Sequence, residues 1–398
     1  MRKLLYILPV LALVLCVALA LLVTGVWTLP EPTEPATQES TEPSRESTQP
    51  IVWDPVNMVS ISLPVITESD LAEDGTVIYS HIFQDVVLDC GSAQINERII
   101  LDLLQRMDAN TASYEDIRDL AQQSYVAGEP WEAYFCQTLY APTRIDKTVL
   151  SLLGTETVFT GDVRAEVTNT CVNYDLLTGN VMTLGQILTE ESDAADLLCQ
   201  ALVEVLGERA EELYSDYADT ITRRFQSDLQ QEATWYFSSE GLCFYFAPYD
   251  IAPYSTGAVF ATVPYSRLLG ILRNDLFPGE TSDVAGEAAV QWFGSANLDD
   301  FGHFSEVLLD PEADAVILSC DTIVYDVRLQ LNSTESLPGQ SADTVFAANC
   351  ISAGDAVVIH YPFADGQQLT LTCRTGGEVK SYVISADGNA LTITENNQ

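Results

Sequence analysis

The chain holds three imidazoles, His81, His303 and His360, in 398 residues. A serine or cysteine nucleophile needs such a base within hydrogen-bond reach. Each histidine sits instead in an apolar, strand-like run: "IYSHIFQD", "FGHFSE" and "VVIHYPF". They read as strand residues. No Gly-x-Ser-x-Gly elbow, no Gly-x-Gly-x-x-Gly turn and no phosphate-binding P-loop occurs. The absence of Cys-x-x-Cys removes zinc-ribbon and thioredoxin-type sites. Asp310, Glu312 and Asp314 alternate in "LLDPEADAV", without the glycine and distal glutamate of a calcium loop. No catalytic residue, metal ligand or cofactor is assigned. Paired carboxylates for sugar hydrolysis stay open, because 58 acidic residues make chance pairs common.

Binding chemistry has a better candidate in "FYFAPYDIAPYSTGAVFATVPY", residues 244–265. Pro248 and Pro253 cannot donate to a strand ladder, so "APYDIAPYSTG" must be an ordered loop at a sheet edge. Its prolines stiffen it and Gly257 permits a tight return into the next strand. Tyr249, Asp250 and Tyr254 are the candidate ligand contacts.

The elements around that loop follow from periodicity. Ile95, Ile99, Leu103 and Met107 recur at four-residue spacing, one helical stripe with Ser92 at its start. Ser113 with Asp116, and Thr183 with Gln186, have capping-box spacing. Helices dominate from about 192 to 231, and "YSRLLGIL" reads as a short helix. Residues 134–182 are strand-rich, with a turn at Thr178-Gly179. Runs such as "DAVILSC", "TIVYDVRLQL" and "QLTLTC" fill the last third, where Asp-Gly pairs at 365–366 and 387–388 mark turns.

The N-terminus sets an address. Residues 4–27 are apolar and, as a helix rising ~1.5 Å per residue, exceed the ~30 Å hydrocarbon core. Arg2 and Lys3 favour a cytoplasmic short end. An uncleaved anchor is expected, with a cleaved signal or a lipidated Cys16 as alternatives. "TLPEPTEPATQESTEPSRESTQP" then holds five Pro, five Glu and five Thr, a stalk composition. The expected organisation is an anchor (1–27), a stalk (28–52), an α+β exported domain (53–273) and a linker (274–290). A smaller, mostly-β, sandwich-like domain (291–398) ends the chain.

The whole chain balances 17 basic against 58 acidic residues, a net −41. Without Arg2 and Lys3, 15 bases face the same 58 acids, so the expected extracellular part carries −43. That field repels nucleic acid and favours cationic partners. Eight cysteines lie beyond Cys16, an even number that suits disulfides outside a cell. Their settings, Cys199 in "DLLCQALVEVL" and Cys243 in "GLCFYF", suit buried free thiols.

The order of motifs resembles the exported domain shared by RsiV-type anti-sigma factors and PdaC-type peptidoglycan deacetylases. It is carried by "PVITESDLAEDGTVIYSHIFQDVVLDCGSAQINERI" with Ile95-Asn96, "RIDKTVLSL", Thr160-Gly161, "NYDLLTGNVMTLGQIL" and the closing "GLCFYFAPYDIAPYSTGAVFATVPYSRL". The resemblance spans about residues 60–272. It implies structural roles for Asn96, Asp175, Gly179 and Gly257. It implies a protein ligand outside the cell, lysozyme being the family's best known. Asp162, Val163 and Arg164 follow Thr160-Gly161, where family members often carry a second Gly, a small residue and a His. Three residues precede the apolar run, so no sigma factor is expected as a partner. Three scattered histidines do not supply a His-x-x-x-His deacetylase pair. The expected function is a membrane-anchored extracellular binding or sensing module of the bacterial envelope, not an enzyme. Its ligand is a protein or a cell-wall component. A structural envelope protein, or a cell-wall enzyme with an unrecognised carboxylate site, is the alternative.

Overall fold

The structure is a computed structural model. It describes residues 58–108, 111–228, 234–279, 284–292, 297–332, 344–363, 367–387 and 390–396. The apolar run 4–27, the stalk and the Asp-Gly turns at 365–366 and 387–388 lie wholly or partly outside those residues. Among the described residues no helix is long and apolar enough to cross a membrane. The fold is mostly β, in several sheets, with a minority of helix.

A six-stranded sheet has the order β2 (Val65–Leu71), β3 (Val77–Gln84), β5 (Tyr134–Ile145), β6 (Val149–Phe159), β7 (Glu166–Asp175) and β8 (Asn180–Val181). All neighbours are antiparallel except β3 and β5. A parallel pair needs a crossover. This one contains β4 (Val87–Asp89) and two helices, α1 (Ala93–Asp108) and α2 (Thr111–Ser124). The predicted stripe of α1 is its buried face: Ile95, Ile99, Leu103 and Met107 pack with Leu150, Leu152 and Tyr174. Burying each such side chain contributes about 1.5–3 kcal/mol. Helix α2 begins at Thr111, two residues before the Ser113 start that the sequence suggests.

A three-stranded sheet, β9 (Trp235–Phe237), β10 (Gly241–Phe246) and β11 (Val259–Pro264), has β10 at its centre. Three helices, α3 (Leu184–Ile187), α4 (Ala194–Gly207) and α5 (Tyr217–Asp228), share its core, which includes Trp235, Phe237 and Phe244. Gln186 accepts the Thr183 N–H at 2.8 Å, the reciprocal half of a capping box. In "YSRLLGIL" the structure holds only a 3-10 turn, Tyr265–Arg267, and Gly270 at φ +78 ends any helical path.

Buried polar groups stitch β9 to the six-stranded sheet. Asn173 Nδ2 donates to Trp235 O at 2.9 Å, and Phe237 N donates to Ser151 Oγ at 2.9 Å. Thr143 Oγ1 donates to Phe237 O at 2.7 Å. Such groups must be paired when water is excluded.

The last third forms two sheets around one core. One holds β12 (Ala288–Trp292), β14 (Ala315–Cys320), β17 (Asp355–His360) and β13 (His303–Leu308). The other has seven strands: β20 (Ala390–Glu395), β19 (Glu378–Asp387), β18 (Gln368–Thr375), β15 (Val324–Leu331), β16 (Thr344–Ile351), β1 (Ser60–Ser62) and β4. Val316, Leu318, Val357 and Ile359 of the first sheet meet Val327, Leu329, Phe346 and Leu371 of the second. Two strands of the seven thus come from the segment before residue 90. Ile61 of β1 pairs with Ala347 of β16, and both lie in the core that α1 covers. The described residues, all between 58 and 396, fall in one compact unit.

All eight cysteines of this unit are buried free thiols. Burial pushes the Cys136, Cys350 and Cys373 thiols up to about 11 and the Cys320 thiol up to about 12. A thiol so raised is a poor nucleophile at neutral pH.

Candidate functional site

The segment Ala247–Gly257 connects β10 to β11, and its shape follows from local chemistry. Asp250 Oδ2 accepts the Ala247 N–H at 2.9 Å, and Asp250 N donates to Ala247 O at 3.0 Å. Tyr249 N donates to Ala252 O at 3.1 Å, closing a second turn. Ile251 and Ala252 are buried and anchor the middle of the loop in the core beneath. Ile251 O accepts the N–H of Tyr214 at 2.9 Å, which ties the loop to the connection between α4 and α5. A 3-10 turn, Tyr254–Thr256, follows Pro253. Gly257 then takes φ 74 and ψ −155, a conformation open to glycine alone.

What this scaffold presents is a pair of aromatic rings. Tyr249 is 66% exposed and Tyr254 55% exposed. Their rings stack with centroids 5.4 Å apart and planes inclined by 26°. Tyr249 has φ 73, a left-handed backbone that side chains other than Asn, Asp and His rarely adopt. The third candidate, Asp250, turns its carboxylate inward. Its Oδ1 lies 2.8 Å from Arg224 Nη2 of α5, and its other oxygen holds the turn. The two tyrosines are thus brought together, while Asp250 supports the loop beneath them.

The remaining sequence candidates sit in turns. Asn96 Oδ1 accepts the Cys90 N–H at 3.0 Å, fixing the approach of β4 to α1. Asp175 Oδ1 accepts the Leu177 N–H at 2.8 Å, and Asp175 O accepts the Gly179 N–H at 2.7 Å. Gly179 has φ +71, and a Cβ there would stand 3.2–3.3 Å from Arg98 and Ile95 of α1. The turn expected at Thr178-Gly179 is present between β7 and β8.

The histidines stay apart. His81 lies between Phe83 and Tyr114, with ring centroids 4.9 and 5.0 Å away and both rings tilted against it. His303 and His360 stand at opposite ends of the parallel pair β13 and β17. His303 lies 3.4 Å from Asp89, and His360 3.0 Å from Glu306. Asp310 serves a turn, accepting the Glu312 N–H at 3.0 Å. Among the described residues no three His, Cys, Asp or Glu side chains gather in a metal-ligand cluster.

One residue missed as a candidate is Arg144, which is 5% exposed. Its Nε donates to Asp146 at 2.7 Å, and its Nη1 to Tyr265 Oη and Leu276 O, both at 2.7 Å. Its guanidinium also lies over the rings of Phe237 and Tyr265. The charge sits inside "RIDKTVLSL", and no local pattern distinguishes it from a surface arginine.

No curated protein matches the chain. Among the solved structures similar to the chain are two at 16% identity. One is a DUF3298 family protein from Pseudomonas aeruginosa PAO1, matched over 57% of this chain and 99% of that one, TM-score 0.38. The other is a DUF3298 family member from Bacteroides fragilis NCTC 9343, matched over 54% of this chain and 94% of that one, TM-score 0.40. The segment from α3 through the tyrosine loop to the end of β11, residues 186–266, matches the family model "Protein of unknown function (DUF3298)".

Proposed function

We propose that the chain is a membrane-anchored binding or sensing module on the outside of a bacterial cell, which captures a cationic protein on the Tyr249–Tyr254 pair. The observation that carries this reading is the pair itself: two stacked, exposed rings on a loop that its own hydrogen bonds hold in place. A pre-ordered aromatic contact loses little conformational entropy on binding. Tyrosine is also among the residue types that dominate binding hot spots. The net −41 supplies long-range attraction to a basic partner and raises the encounter rate. The apolar run 4–27 and the stalk after it support an anchored, outward-facing placement. The RsiV-type resemblance makes lysozyme the partner to try first.

The experiment is titration of the purified chain with lysozyme at low and at physiological salt. Binding is expected to weaken with salt yet persist at physiological ionic strength. Tyr249→Ala and Tyr254→Ala are each expected to weaken it by about tenfold, a loss typical of a hot-spot side chain. Binding that disappears at physiological salt, or that both substitutions leave unchanged, reduces the interaction to charge attraction. The structural-component reading then takes over.

A further inference from the structure

A second candidate site lies away from the tyrosines, where strands β15 and β18 of the seven-stranded sheet meet the β9–β10 turn. Strand β15 carries a register irregularity between Tyr325 and Arg328 against β18. Within it Asp326 takes φ 49, one of two non-glycine residues in the left-handed region among those described. Such a bulge re-aims the side chains around it. Backbone strain held at one position is a recurrent mark of a functional site. Asp326, Arg328, Thr372 and Arg374 line a cleft of about 340 Å³, with Ser238 and Ser239 on the opposite wall. That volume falls within the ~300–1,000 Å³ range of small-molecule sites.

The charges in this cleft are unusual for so acidic a chain. Arg328 donates from Nη1 to Pro142 O at 2.5 Å and from Nη2 to Thr143 O at 2.8 Å. It makes no ion pair among the described residues, and burial pushes its pKa down from the ordinary guanidinium value. Arg374 donates from Nε to Asp326 Oδ2 at 3.0 Å. Its Nη1 and Nη2 edge has no acceptor among the described residues. Two guanidiniums and one carboxylate leave the cleft one positive charge in surplus. An arginine edge of this kind binds a carboxylate through two parallel hydrogen bonds. A single surplus charge suits a monoanion. A phosphate dianion would overshoot it within a molecule already at −41. The hydroxyls of Ser239 and Thr372, with the polar rim of the turn, suit a ligand that carries hydroxyl groups.

We propose that this cleft is a binding site for a small hydroxyl-bearing monocarboxylate, whose carboxylate docks on the Nη edge of Arg374 in the cleft it shares with Arg328. The site is independent of the tyrosine loop, so either proposal can fail alone. The test is calorimetric titration of the purified chain with D-gluconate, with D-glucose as the neutral analogue and inorganic phosphate as the dianion. Gluconate is expected to bind with a Kd of about 1 mM, the affinity of a ligand of its size at ordinary efficiency. Glucose is expected to give no heat, and phosphate to bind more weakly than gluconate. R374Q is expected to weaken gluconate about tenfold or more while the melting temperature of the free protein stays unchanged. D326N retains a residue type that accepts a left-handed backbone and removes the opposing charge. It is expected to tighten gluconate several-fold. Opposite signs from the two variants are not a result that misfolding produces. The proposal is overturned if gluconate gives no signal at about 10 mM, or if glucose matches it. It is equally overturned if phosphate binds tighter, or if R374Q leaves the affinity unaltered.

Discussion

Two residues in the tyrosine loop adopt left-handed backbone, and they make opposite predictions. Gly257 sits at φ 74, ψ −155, and nothing stands within 4 Å of where its Cβ would be. A substitution there meets strain rather than a clash. Gly257→Val is expected to cost about 1–3 kcal/mol, read as a lower melting temperature. An unchanged melting temperature defeats this account. Tyr249 at φ 73 already carries such strain, and its ring is mostly exposed. Tyr249→Gly therefore relaxes the backbone while deleting half of the aromatic pair. Thermal stability is expected to hold or rise, and lysozyme binding to fall. A strained residue whose removal does not destabilise the fold is one retained for its surface.

At the level of elements, Arg144 joins the end of β5 to Tyr265 and to the carbonyl of Leu276. Arg144→Ala leaves Asp146 without its cation and two acceptors without a donor. The expected loss is about 3–5 kcal/mol in denaturant unfolding, the range for breaking one side of a buried pair. A loss below ~1 kcal/mol contradicts a locking role. The edge strand β2 is held differently, by Asp70 paired with Arg118 of α2 at 2.8 Å. The hydrogen bond from Arg118 holds the Asp70 carboxyl below the usual carboxylate value. A depressed folded pKa stabilises above the unfolded value of ~3.9 and loses that contribution as pH falls through the folded one. The protection of β2 amides, measured as exchange relative to the intrinsic rate at each pH, is expected to fall below about pH 4 in the native protein and less so in Asp70→Asn. The pair is half-exposed, so added salt is expected to shrink the difference.

For the whole molecule, charge and topology each make a prediction. A net −41 repels itself, and screening by salt relieves that repulsion. The melting temperature is expected to rise between low and physiological salt, whereas lysozyme affinity is expected to fall. Two opposite salt dependences separate the internal field from the external one. The topology predicts that a chain cut once between residues 274 and 290 stays together on native size exclusion. Ile61 and Ala347 pair across the gap, and Arg328 donates to the carbonyls of Pro142 and Thr143. Separation into two fragments defeats that view.

Much of this was legible in the chain before any coordinates. Residues at four-residue spacing had to make α1, because a helix turns every 3.6 residues and Ile95, Ile99, Leu103 and Met107 are too apolar to face water. Pro248 and Pro253 had to sit in a loop, because neither can donate to a ladder. Thr178-Gly179 has to turn, and Cys199 and Cys243 sit in apolar runs, which the fold buries. What local pattern could not reach were partners far apart in sequence. Periodicity says that 60–62 is extended but not that it pairs with 346–348, because a strand of three residues specifies no neighbour. It marks Arg144, Arg328 and Arg374 as ordinary charges. Only the closing of four sheets decides which guanidinium is locked inside, which rests on two carbonyls, and which keeps an edge open to a ligand.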